Sequence, residues 1–169
     1  GASNYAATAQ VGGGLISRIM QGDGTTFSSG NFALIAQGGE GSAAEVRQVG
    51  SNNYAEINQQ GDFSGVGITQ TGDDNIATLF QVGDSVNAPI FQTGSFLEAH
   101  VVIDGFANSA GINQNGTDHF AAISQSGDMN GANIGQTGDS HAAIVEQTGE
   151  SNLSQLFQTG SANSAFVSQ

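Results

Sequence analysis

Three histidines, two basic residues and no cysteine leave this chain little with which to hold metal or move protons. His119 and His141 stand 22 residues apart at places where asparagine otherwise recurs, so they read as substitutes for an amide rather than as ligands. His100 sits two residues from Glu98 with its side chain on the solvent side of a strand pattern. No Ser/His/Asp order stands out from the Ser- and Asp-rich turns, and no phosphate- or dinucleotide-binding phrase occurs. An enzyme is not expected, nor a cofactor or metal. The chemistry in supply is that of primary amides, each a double donor and a double acceptor.

Of sixteen glutamines, all but Gln60 and Gln155 fall on a comb of spacing eleven. Gln10 and Gln21 set it, and after five extra residues it runs through Gln37, Gln48, Gln59, Gln70, Gln81 and Gln92. Ile103 takes one tooth, then come Gln114, Gln125, Gln136, Gln147, Gln158 and Gln169. Six residues before a tooth stands an asparagine in Asn31, Asn53, Asn75, Asn108, Asn130, Asn152 and Asn163. Two residues after it stands a glycine: Gly50, Gly61, Gly72, Gly83, Gly94, Gly105, Gly116, Gly127, Gly138, Gly149 and Gly160. Self-similarity at a short fixed period marks a repeat architecture.

Within each unit Asn, Ala, Ile/Leu/Val and Gln recur at every second position, so all four point to one face of a strand. The glycine supplies the bend that ends it. An Asn and a Gln on the buried face of every unit are costly unless paired. Stacking unit n on unit n+2 sets each amide about 4.8 Å from its twin, where it can donate to one neighbour and accept from the other, as in cross-β ladders. The expected fold is therefore all-β: a β-solenoid with two strands per 22-residue rung, about 15 strands, and two parallel sheets face to face. Residues 1–169 form one domain, with an insertion in the turn at 22–30 that keeps register on both sides. One wall of the core holds Ala33, Ile35, Ala55, Ile57 and their equivalents, the other Ala44, Val46, Val66, Ile68 and theirs. Pro89 lacks the N–H a ladder needs, so a local defect is expected there.

The phrase Gln-x-Gly-x-x-Asn-x-Ala-x-x-x-Gln, complete in Gln48–Gln59, Gln70–Gln81 and Gln125–Gln136, resembles the curlin repeat. The resemblance spans residues 4–169. It implies a secreted bacterial subunit of curli, a functional amyloid of the cell surface, with roles in biofilm matrix and adhesion. A nucleator subunit and an outer-membrane secretion channel would be its partners. The chain departs from the familiar pattern in its larger repeat number, its insertion, the lack of a recognisable targeting stretch and the lack of a basic carboxy-terminal end. The major subunit is the reading favoured; the minor nucleator is the alternative.

Physical arguments agree with a self-assembling fibre; its extracellular location is what the resemblance implies. Fifteen acidic against two basic residues, a net charge of -13, disfavour nucleic acid, and no window is apolar enough to enter a membrane. Neither end reads as a cap, and an open strand edge templates another chain, giving a head-to-tail homopolymer. Tyr5, Phe32, Tyr54, Ile76 and Phe120 share an outward column, expected to be a lateral contact. The opposite face is expected to show mostly Gly65, Gly67, Ser109, Gly111, Asn113, Gly131, Asn133 and Gly135. Glu40, Asp62, Asp84, Asp128 and Glu150 line one edge as like charges, so acid or divalent cations should speed assembly. An ice-binding solenoid is the rival outside this class, since Thr71, Thr93, Thr137 and Thr159 share an edge. The paired T-x-T rank it wants occurs only at Thr69-Gln70-Thr71.

Overall fold

In a computed structural model, which describes residues 3–24 and 27–169, fifteen strands alternate between two sheets. The odd-numbered strands are β1 (Tyr5–Gly13), β3 (Phe32–Glu40), β5 (Tyr54–Gln60), β7 (Ile76–Val82), β9 (Glu98–Asp104), β11 (Phe120–Ser126), β13 (Ala142–Thr148) and β15 (Ser164–Ser168). They form an eight-stranded sheet in that order. The even-numbered strands are β2 (Ile16–Gln21), β4 (Ala43–Val49), β6 (Gly65–Thr71), β8 (Asn87–Ser95), β10 (Ser109–Thr117), β12 (Gly131–Asp139) and β14 (Leu153–Ser161). They form a seven-stranded sheet, also in chain order. Every pairing is parallel and in register, as in Ile57↔Leu79 and Ile112↔Ile134. The all-β, two-strand-per-rung solenoid expected from the amide comb is the fold observed.

Register is kept across the insertion: Gln10 pairs with Gln37 and Gln21 with Gln48, five residues further apart than partners elsewhere. Thr25 and Thr26, within the insertion, lie outside the described residues, as do Gly1 and Ala2. Pro89 has the effect its missing donor dictates. β8 and β10 pair at Ser109↔Asn87 and resume at Ile112↔Ile90, with no pairing at Ala88 and Pro89 between, whereas the β6 side of β8 is continuous.

The core is one residue layer from each sheet. Ala33, Ile35, Ala55, Ile57, Ala77 and Leu79 on one wall meet Ala44, Val46, Val66, Ile68, Ala88 and Ile90 on the other, all buried. So thin a core buries little apolar area per residue, and the remaining interior positions are mostly amides, with serine or histidine at a few.

The turns explain the glycine comb. From Gly50 to Gly160 each comb glycine has φ between 105° and 137°, and a Cβ on Gly94 would overlap the carbonyl oxygen of Gly116 on the next rung. Two residues later every turn needs a left-handed residue, filled by Asn52, Asp74 and Ser85 but also by Phe63, Phe96 and Met129. Bulky side chains in that region carry strain.

Candidate functional site

The chemically distinctive feature of this molecule is its interior file of amides. In the seven-stranded sheet the glutamine file is unbroken. Gln21, Gln48, Gln70, Gln92 and Gln114 each donate Nε2–H to Oε1 of the next glutamine at 2.9–3.0 Å, and Gln136 donates to Gln158 at 2.9 Å. The second N–H crosses to the facing sheet: Gln70 donates to the Tyr54 carbonyl, Gln92 to Ile76 and Gln114 to Glu98, each at 2.9 Å. One amide thus ties its rung to the next and one sheet to the other.

In the eight-stranded sheet the file comes in two pieces. Gln10 donates to Gln37 and Gln37 to Gln59, at 2.9 and 2.8 Å; Gln125 donates to Gln147 and Gln147 to Gln169, at 2.9 and 3.0 Å. Between them Ile103 offers no polar atom. Gln81 turns its Nε2 to the carbonyls of Gln60 and Gly83 instead. Gln59 Nε2, Gln81 Oε1 and Gln125 Oε1 are left buried without a partner.

The asparagines behave differently from the expected amide-to-amide columns, and the reason is reach. One methylene shorter than glutamine, Asn53 places its Oδ1 against the backbone N–H of Asn75 (3.1 Å) and donates Nδ2–H to the Gly72 carbonyl (2.8 Å). Asn31, Asn75, Asn108 and Asn130 repeat this clamp, with Nδ2 on Gly50, Gly94, Gly127 and Gly149. Among the described residues, direct contact between asparagine amides occurs only where Asn53 Nδ2 meets Asn31 Oδ1, at 3.1 Å. Asn152 and Asn163 donate instead to Thr148 and Thr159 of their own turns. Asparagine is thus a clamp from strand start to turn, not a ladder.

The clamp identifies other members. His119 and His141, both buried, accept backbone N–H on Nδ1 from His141 and Asn163, at 3.2 and 3.1 Å, and use Nε2 on the Asn115 and Thr137 carbonyls. Their rings stack at 5.0 Å. That pattern requires the neutral Nε2–H tautomer, and burial pushes the His119 pKa down. Ser42 and Ser64, buried six residues before Gln48 and Gln70, take the same role: Ser42 Oγ accepts from the Ser64 N–H and donates to the Gly61 carbonyl. Sequence reasoning passed over these serines, although their place relative to the comb was the available signal.

The edge acids are engaged rather than bare. Asp62, Asp84 and Asp128 accept the backbone N–H of Glu40, Asp62 and Phe106 from the preceding rung at 2.7–2.9 Å, and Asp73 accepts that of Ser51. Among the described residues no three His, Cys, Asp or Glu gather as for a metal ion. His100 lies between Thr78 Oγ1 and Glu98 Oε1, each at 2.7 Å.

On the outer faces, Tyr5, Phe32 and Tyr54 stack at 4.8 and 5.0 Å, and the Tyr54 hydroxyl donates to Glu56, which raises its pKa. Ile76 follows in register, then Glu98 interrupts, and Phe120 lies against His100 instead. The opposite face corrects the expectation of a Gly, Ser and Asn surface. Ile16, Phe91, Leu153 and Phe157 are exposed on it as well.

A family model for the curlin associated repeat matches residues 39–72, 50–83 and 105–138. No curated protein matches the chain. Among the described residues, no helix is long and apolar enough to cross a membrane. The matched windows carry the amide comb on both sides of Ile103, and over them the chain is similar to the curlin associated repeat.

Proposed function

We propose that this chain is the bulk subunit of an extracellular curli-type fibre, growing as copies stack rung on rung. The observation that carries the reading is the unbroken glutamine file. Each rung meets the next through identical side chains at identical register, so a rung of a second copy offers the same surface that joins β4 to β6. Such a contact is heterologous and does not close. Biofilm matrix and surface adhesion are what the fibre would serve, with a nucleating subunit and an outer-membrane channel as partners in export and initiation. The role is structural, a reading supported by the curlin associated repeats and by their stacking into one solenoid.

The test is seeded polymerisation of freshly desalted chain, followed by thioflavin-T fluorescence and electron microscopy. A lag removed by fibre fragments, ending in thin unbranched filaments, supports the reading. A folded chain that stays monomeric with seeds present overturns it.

A further inference from the structure

Neighbouring rungs of this solenoid are fastened by side chains as well as by backbone, and the fasteners are unequal from level to level. Between β3/β4 and β5/β6 every kind is present. Gln37 donates to Gln59 and Gln48 to Gln70. Asn31 and Ser42 accept the backbone N–H of Asn53 and Ser64. Asp62 and Asp73 accept those of Glu40 and Ser51.

Between β7/β8 and β9/β10 most of these lapse together. Ile103 has no amide to meet Gln81, Val86 offers no acceptor to the Asn108 N–H, and Phe106 has no carboxylate for the Asp84 N–H. Pro89 leaves β8 and β10 unpaired between Asn87 and Ile90. One level further on, Leu97 offers no acceptor to the His119 N–H, and Ile103 no donor to Gln125 Oε1. What still crosses is the β7–β9 backbone ladder, the Gln92–Gln114 amide bond and the Asn75 clamp on the Leu97 N–H.

Val86, Leu97 and Ile103 are buried, but their burial does not make the loss good, because each replaces only one member of a pair. Apolar groups in place of both partners are nearly neutral, whereas a buried polar atom whose partner is gone bears its full desolvation cost. Gln59 Nε2, Gln81 Oε1 and Gln125 Oε1 are in that position. In a stacked array each rung is held by its neighbours alone, so cooperativity passes through every interface and stops at a weak one.

We infer that the chain is two cooperative blocks, β1–β8 and β9–β15, meeting at a seam, so that either block unfolds while the other stays folded. A uniform array of this length would instead fray inward from its ends and be most protected at its middle. The seam belongs to the fold, and it holds whether the chain stands alone or in a fibre.

The test is pulse-labelling hydrogen exchange of the full folded chain, as monomer or as filament, through a guanidinium series, read by intact mass and again after digestion. Near the midpoint a third mass is expected between the protected and the fully labelled chain, in at least ~10% of molecules, with its label confined to one side of the connection at 96–97. Two masses only would make the chain one unit and overturn the proposal. So would label that creeps inward from both ends and reaches β8–β10 last. The variant Val86→Asn/Leu97→Asn/Ile103→Gln restores the missing partners and should cut the third mass ~fivefold; a third mass at its wild-type level overturns the proposal as well. Should that variant not fold, the wild-type masses decide alone.

Discussion

The two sheets of this solenoid are built from the same phrase, yet one carries a continuous glutamine file and the other a file cut at Ile103. The cut is not confined to one side chain. Gln81 abandons the file, and Gln59 and Gln125 each keep a buried amide atom with no partner. The rung that holds Ile103 also holds Val86 and Leu97 at clamp positions, Pro89 on its facing strand, and Phe106 where the edge acids run. An amide file is a chain of mutual dependence, so its failure spreads to both neighbours, whereas an aliphatic column tolerates Ile, Leu or Val at any level. The substitutions cluster because apolar packing supports itself once the polar partners are gone.

The largest expected effect comes from cutting the intact file. Gln92→Leu leaves Gln70 Nε2 without its acceptor and Gln114 Oε1 without its donor, a loss of about 2–4 kcal/mol. Guanidinium unfolding should show the drop, and a midpoint unchanged from wild type would mean that the file contributes little. Repairing the cut is the converse: Ile103→Gln should gain about 1 kcal/mol as Gln81 swings back, net of the aliphatic burial given up. No gain in the same assay would indicate that Gln81 prefers its turn.

A third comparison sets histidine against asparagine in the clamp. The His119 pKa is lowered in the fold, so the unfolded chain binds more protons and stability rises with pH. The contribution is whole above the ordinary value of 6.5 and is lost as pH falls below it toward the folded value. His119→Asn should flatten unfolding midpoints between pH 7.5 and 5, a window above the range where carboxylates titrate. Equal slopes in both proteins would remove His119 from the account. The smallest effect lies in the turns. Met129, at φ 56°, should give way to glycine with a gain of about 0.5–1 kcal/mol, read as a raised melting temperature.

Much of this was legible in the spacing of residues. Period two placed Ala55, Ile57 and Gln59 on one face, and the comb placed Gln59 over Gln37. Pro89 announced its own gap, because a missing N–H cannot be supplied by context. What was not legible turned on distance rather than pattern. Asparagine and glutamine carry the same group, and only the length of the arm decides that Asn75 reaches backbone while Gln48 reaches another amide. Phe91 and Phe157 fell among variable outward positions, where glycine and asparagine dominate and two rings are easily averaged away.

The glutamine file also has a direction. From Gln21 to Gln136 every Nε2 donates to the higher-numbered rung, and from Gln48 to Gln158 every Oε1 accepts from the lower. Aligned amide dipoles add, as they do along a helix, so the stack is an electrical arrow with a donor tip and an acceptor tail. A copy added in the same sense continues the arrow, while one added upside down sets donor against donor. A fibre of such units is therefore vectorial, and its two tips should lengthen at unequal speeds.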